Sequence, residues 1–173
     1  MPPTAPEAVR LFIGLWPPPE VHAALLAQAD GASWPASARR TRPERLHVTV
    51  HFLGQVANER LPELREGLAV PWDGCELVLD RWDVWPGGIA VLEASLVPPA
   101  LAALHGTLAE RLRQLHLPVE QRPYRPHVTL ARKALGARPP ATFTPVRWRA
   151  GRGYALVRSL PGGGGYETLQ SFG

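Results

Sequence analysis

Arg42-Pro43-Glu44-Arg45-Leu46-His47-Val48-Thr49-Val50 aligns without gaps on Arg122-Pro123-Tyr124-Arg125-Pro126-His127-Val128-Thr129-Leu130, and Arg, Pro, Arg, His, Val and Thr coincide at six of the nine positions, all offset by 80 residues. Internal similarity of this kind marks a duplicated supersecondary unit. Both copies must fit into 173 residues, the size of one domain or of two intimately packed lobes. In a strand, residues two apart share a face, so each His-x-Thr sets an imidazole and a hydroxyl on one side while Val48, Val50, Val128 and Leu130 point to the other. If a pseudo-twofold axis relates the two units, their polar faces meet across a cleft.

The segments around the repeat are mixed α and β. Val9 to Leu15 is short, β-branched and aromatic, and the prolines after Trp16 stop it; a helix over Glu20 to about Asp30 follows, with Val21, Leu25 and Leu26 on one face. Residues 31–45 read as a loop. His47 to Leu53 reads as a strand that Gly54 ends, and Asn58 is a candidate cap for a helix to about Leu68. Glu76 to Val84 and Ile89 to Leu96 read as a hairpin around Pro86-Gly87-Gly88. Pro98 to Leu117 carries Leu101, Leu104, Leu108, Leu112 and Leu115 at helical spacing. Strands are expected at His127 to Ala131, 143–149 and 153–159.

Composition narrows the class. Hydrophobic residues make up 45% and charged residues 20%, enough for a core and against a disordered chain. The 20 prolines and 16 glycines predict short elements and many loops. Lys133 is the only lysine, so the basic excess behind the net charge of +4 is arginine, a residue that forks two donors onto phosphate. Cys75 is alone, which excludes an intrachain disulfide and a cysteine zinc cluster and suits an intracellular location. The start lacks the pattern of a signal peptide and no apolar run is long enough to span a bilayer, so the chain is expected to be cytoplasmic, with no membrane partner; a monomer is the expected state.

The repeated His-x-Thr carries the chemistry. Two imidazoles near neutrality can act as base and acid on opposite sides of one reacting centre, and two hydroxyls can donate to oxygens that gain charge. In-line displacement at phosphorus asks for that arrangement. One His-x-Thr alone is an ordinary half-buried polar pair; it is the duplication in shared context that points to a site. The His47 and His51 spacing also admits a metal, although no HExxH pattern accompanies it. His51 is expected near the strand end beside the cleft.

HVTV (47–50), HVTL (127–130), RLFIGL (10–15), LHVTVHFLG (46–54), RPYRPHVTLAR (122–132) and SLPGGGGYETLQSF (159–172) together resemble the 2H phosphoesterases, above all the bacterial and archaeal RNA 2′,3′-cyclic phosphodiesterases, also called 2′-5′ RNA ligase-like proteins. The resemblance implies an α+β, bilobal, pseudo-twofold fold in which two antiparallel sheets face a central cleft with helices outside. Residues 1–173 would form one domain of two intertwined lobes, each contributing one HxTx strand. It implies His47 as proton donor, His127 as proton acceptor, Thr49, Thr129 and Arg132 as phosphate-binding residues, and Phe12 and Tyr124 at the base or ribose. No metal or nucleotide cofactor is implied. The expected partner is RNA ending in a 2′,3′-cyclic phosphate, or a nucleoside 2′,3′-cyclic phosphate, hydrolysed to a 2′-phosphomonoester. A 2′-5′ ligase using the same residues and a noncatalytic RNA-end-binding module are the alternatives. Arg132 lies five residues after His127, so a regular strand would turn it away from the cleft, and a bulge must re-aim it.

Overall fold

The computed structural model describes residues 7–173; residues 1–6, and with them most of the start read above as lacking a signal peptide, lie outside the described residues. Strand β1 (Ala8–Leu15) leads through Pro17 and Pro18 into helix α1 (Pro19–Gly31), whose proline at the first helical position needs no amide partner. Strand β2 (Arg39–Arg40) lies inside the segment expected to be loop. It is followed by β3 (Val48–Ala57), α2 (Leu61–Gly67), β4 (Cys75–Leu79), β5 (Arg81–Trp85), β6 (Ile89–Glu93) and α3 (Pro99–Gln114). Strands β7 (His127–Arg132), β8 (Val146–Ala150), β9 (Tyr154–Ser159) and β10 (Tyr166–Phe172) complete the chain.

The main sheet runs β10-β9-β1-β3-β7-β6-β5, with β2 beside β7, and β4 pairs with β8 separately. All pairings are antiparallel. The halves β10-β9-β1-β3 and β7-β6-β5 are the two antiparallel units expected of a duplicated fold, and a single residue pair, Val48 with Val128, joins β3 to β7. The apolar faces of the repeat are buried as its alternation predicts: Val48, Val50, Val128 and Leu130 are at most 3% exposed. Leu101, Leu104, Leu108 and Leu112 of α3 close over this core, each burial contributing about 1.5–3 kcal/mol.

Four expectations are corrected. Strand β3 does not end at Gly54: that glycine adopts φ +73 and the strand continues to Ala57, because a bulge at Leu53 absorbs the turn. Asn58 makes no side-chain cap; residues Asn58–Arg60 form a three-ten turn before α2. The segment 76–84 is not one hairpin arm. The Asp80 carboxylate accepts from the Ser95 amide (2.9 Å) and hydroxyl (2.7 Å), which breaks the chain between β4 and β5, so that β4 pairs with β8 while only β5 pairs with β6. Helix α3 stops at Gln114 rather than Leu117, because His116 turns left-handed (φ 58) and the Leu117 amide reaches back to the Leu112 carbonyl (2.9 Å), a Schellman closure. Among the described residues no helix is long and apolar enough to cross a membrane.

Candidate active site

The pseudo-twofold axis passes through the Val48–Val128 pair, since these two residues are themselves 80 positions apart. One step either side of that pair, His47, Thr49, His127 and Thr129 alternate with the buried valines. Cross-strand partners share a face, so all four side chains project on the side of the sheet opposite Val48 and Val128. Each histidine is held in the same way. Nδ1 of His47 lies 2.6 Å from the Arg45 carbonyl and Nδ1 of His127 lies 2.7 Å from the Arg125 carbonyl. A carbonyl only accepts, so both Nδ1 atoms carry a proton and both Nε2 atoms are presented to the cleft. Nε2 of His47 is 3.0 Å from the Thr49 hydroxyl.

Both imidazoles have pKa values lowered from the ordinary histidine range. For His47 the main cause is burial, opposed by the Arg45 carbonyl and reinforced by His127. For His127 burial again leads; the Arg125 carbonyl and the Glu93 carboxylate work against it, while Arg125 and Arg132 add to it.

A bulge re-aims Arg132. Thr129 pairs with Val91 and Ala131 with Ala90, so β6 skips Leu130. The strand loses one step of alternation there: Ala131 is buried and Arg132 is exposed on the face of His127 and Thr129. The first repeat contains the same device. Thr49 pairs with Gly14 and His51 with Ile13, so β1 skips Val50. His51, expected beside the cleft, is instead only 4% exposed and turned toward α3, where Nε2 donates to the His105 carbonyl (2.8 Å) and its ring stacks on His105. Phe52 takes the cleft position, as the counterpart of Arg132.

The two histidines differ in what lies beside them. At the cross-strand position next to His127 is Glu93, 3% exposed, which accepts a forked pair of hydrogen bonds from Arg125 (2.7 and 2.9 Å). The Arg125 guanidinium lies over the Trp85 ring, whose centroid is 4.4 Å from that of His127. The corresponding neighbour of His47 is Trp16, stacked on the imidazole at 4.8 Å and 11°. Phe12 (5.0 Å) and Tyr166 (5.4 Å) complete an aromatic surround.

Residues 17–152 match the sequence model of the 2′-5′ RNA ligase superfamily, most of the chain and both histidine strands with it. The chain belongs to this superfamily. Among curated relatives of the superfamily, the RNA 2′,3′-cyclic phosphodiesterase of Thermus thermophilus is 30% identical over 178 residues, covering 95% of this chain and 89% of the relative. The fold agrees with solved structures: E. coli LigT in apo form superposes with a TM-score of 0.81 at 25% identity, covering 96% of this chain and 97% of LigT. TT0787 of T. thermophilus superposes at 0.70 with 26% identity, covering 94% and 96%.

Of the residues singled out in the sequence, the structure brings His47, His127, Thr49, Thr129 and Arg132 to one face and sets Phe12 against His47. It does not bring Tyr124 there. The Tyr124 ring stacks on His105 of α3 (4.2 Å, 12°) and its hydroxyl donates to the Thr49 carbonyl (2.9 Å), so it supports the Thr49 strand from the packed side, and burial pushes its phenol pKa up. Trp16, Tyr166, Trp85 and Glu93 were not singled out. Trp16 immediately follows the first strand, but its place beside His47, like those of Glu93 and Trp85 beside His127, depends on a pairing register that no local pattern displays.

Proposed function

We propose that this chain is a phosphodiesterase that opens the terminal 2′,3′-cyclic phosphate of RNA or of a nucleotide to a 2′-phosphomonoester. The observation that carries the reading is the pair of cleft-facing Nε2 atoms, each with its tautomer set by a backbone carbonyl, on either side of a pseudo-twofold axis. The superfamily membership and the activity named for the Thermus relative support it. In this reading neutral His127 removes a proton from water at Nε2 and the resulting hydroxide attacks phosphorus. The bond from phosphorus to the 3′ oxygen breaks as protonated His47 delivers its Nε2 proton to that oxygen, leaving a free 3′-hydroxyl and the phosphate on the 2′ oxygen. Thr49, Thr129 and the Arg132 fork donate to the non-bridging oxygens as charge gathers on them. Every proton lost by the nucleophile is balanced by one given to the leaving oxygen, so the two histidines exchange protonation states in each turnover.

The same residues would serve a second acceptor: a 5′-hydroxyl in place of water would yield a 2′-5′ linkage, the reaction for which the superfamily is named. Incubation with each nucleoside 2′,3′-cyclic monophosphate and with a cyclic-phosphate-ended oligoribonucleotide, read by phosphorus NMR, tests both. A 2′-phosphomonoester is expected. A mixture of 2′ and 3′ products, or no reaction, overturns the roles given to the histidines, and a 2′-5′ diester formed in excess over monoester favours ligation.

A further inference from the structure

Away from the histidines, the cleft face of β3, β1, β9 and β10 changes character row by row. Phe52, Phe12, Val157 and Thr168 form one cross-strand row, and Gln55, Arg10, Ser159 and Tyr166 form the next outward. That outer row offers an amide, a guanidinium and two hydroxyls side by side, and it lines a groove of about 460 Å³ whose rim includes one carboxylate, Glu7. Tyr166 belongs both to this groove and to the surround of His47, so groove and site are continuous.

Arg45 reaches into the same groove, over the Tyr166 ring. Its repeat counterpart Arg125 is neutralised by Glu93, whereas among the described residues the Arg45 guanidinium hydrogen-bonds only to the Gly163 carbonyl (2.6 Å), and its Nε–H is a buried donor with no partner there. Arg10 and Arg45 form no ion pair among the described residues. Duplication has thus left one arginine spent on a carboxylate and the other available.

We propose that the groove of Arg10, Arg45, Gln55, Ser159 and Tyr166 binds the nucleotide chain on the 5′ side of the reacting phosphate, making a single-stranded RNA end, rather than a free nucleotide, the preferred substrate. Arg10 and Arg45 take the upstream phosphate oxygens and Tyr166 offers a ring for stacking. Cations outside ion pairs, sequence-tolerant donors and an aromatic face are what a nucleotide strand requires, whereas a folded protein partner would need an apolar centre that this row lacks. The inference rests on the phosphodiesterase reading for where the strand ends.

The test compares wild type with Arg10→Ala and Arg10→Lys on adenosine 2′,3′-cyclic monophosphate and on a short oligoribonucleotide ending in the same cyclic phosphate. Arg10→Ala is expected to lower kcat/KM for the oligonucleotide about tenfold relative to the mononucleotide, with part of the loss restored by lysine. A parallel fall on both substrates, or no change in their ratio, overturns the proposal. Affinity for a single-stranded oligoribonucleotide with an unreactive 3′-phosphate, measured by fluorescence anisotropy against salt, decides the matter even if turnover fails. There Arg10→Ala should weaken binding and reduce the log–log salt slope by about 0.7, the share of one phosphate on a single strand. Unchanged affinity and slope would overturn the groove; binding that depends on Arg10 without turnover would overturn only the catalytic reading.

Discussion

Val50 of β3 and Leu130 of β7, 80 residues apart, are each skipped by the neighbouring strand, so the two histidine strands share a bulge at the same place in the repeat. Each bulge reverses the alternation after His-x-Thr. In one strand it carries Arg132 to the cleft; in the other it carries Phe52 there and buries His51. One backbone irregularity, kept in both copies, therefore gives the cleft a cation on one side and an aromatic ring on the other. Arg132→Ala is expected to lower kcat/KM on a nucleoside 2′,3′-cyclic phosphate by about 100- to 1,000-fold, chiefly through kcat, because the fork would act on charge that grows in the transition state. Arg132→Lys should recover part of this, and steady-state kinetics on the three proteins checks it.

His47→Ala and His127→Ala should each cost at least about 100- to 10,000-fold in kcat. Because each histidine completes a proton transfer that the other begins, the losses should not multiply: the double variant is expected to be little worse than the poorer single one. Near-normal turnover by either single variant, measured with a cyclic mononucleotide, would remove the acid-base scheme.

The lowered pKa values fix the sign of the pH dependence. A base must be neutral to act, so lowering the His127 pKa moves the acid limb of the profile to lower pH. An acid must be protonated, so lowering the His47 pKa brings the alkaline limb down as well. The profile of kcat/KM is expected to be a bell displaced to the acid side of ordinary histidine chemistry, already falling as pH rises through neutrality. Glu93→Gln separates the limbs. It removes the carboxylate that holds the His127 pKa up and leaves Arg125 and Arg132 pulling it down, so the acid limb should move to still lower pH while the alkaline limb stays. Movement of the alkaline limb instead would reverse the two roles.

What the sequence displays and what it hides follow from the range of the forces involved. The repeat, the buried Val48 and Val128 face and the histidine-threonine face depend on two-residue alternation, which is local and visible. The Arg132 direction depends on a bulge that only the β6 partner creates, so the sequence states the problem, an odd offset of five, without its solution. Tyr124 shares the repeat's loop yet packs beneath it, because His105, distant in sequence, offers a ring to stack on. The broken hairpin at Asp80 has the same origin: the Ser95 donors that hold its carboxylate lie beyond the whole of β6. Trp16 stood beside a recognised strand, but its stacking on His47 appears only when β1 and β3 are in register.

The His51–His105–Tyr124 stack makes a prediction about stability rather than catalysis. Burial, and the neighbouring His51, push the His105 pKa down to about 4, and His51 itself is lowered by burial. Both rings are therefore neutral in the folded chain, and the unfolded chain binds more protons once pH drops below about 6.5. The stabilising contribution is complete above that value and is lost progressively as pH falls toward 4. Because His105 is half-buried and water screens part of its charge, its share of the loss by pH 5 should be about 1 kcal/mol. His105→Phe keeps an aromatic ring between His51 and Tyr124 while removing the titration. Urea unfolding at pH 7.5 and pH 5 should show a smaller drop in stability for the variant than for the wild type, and an equal drop in both would place the acid sensitivity elsewhere in the chain.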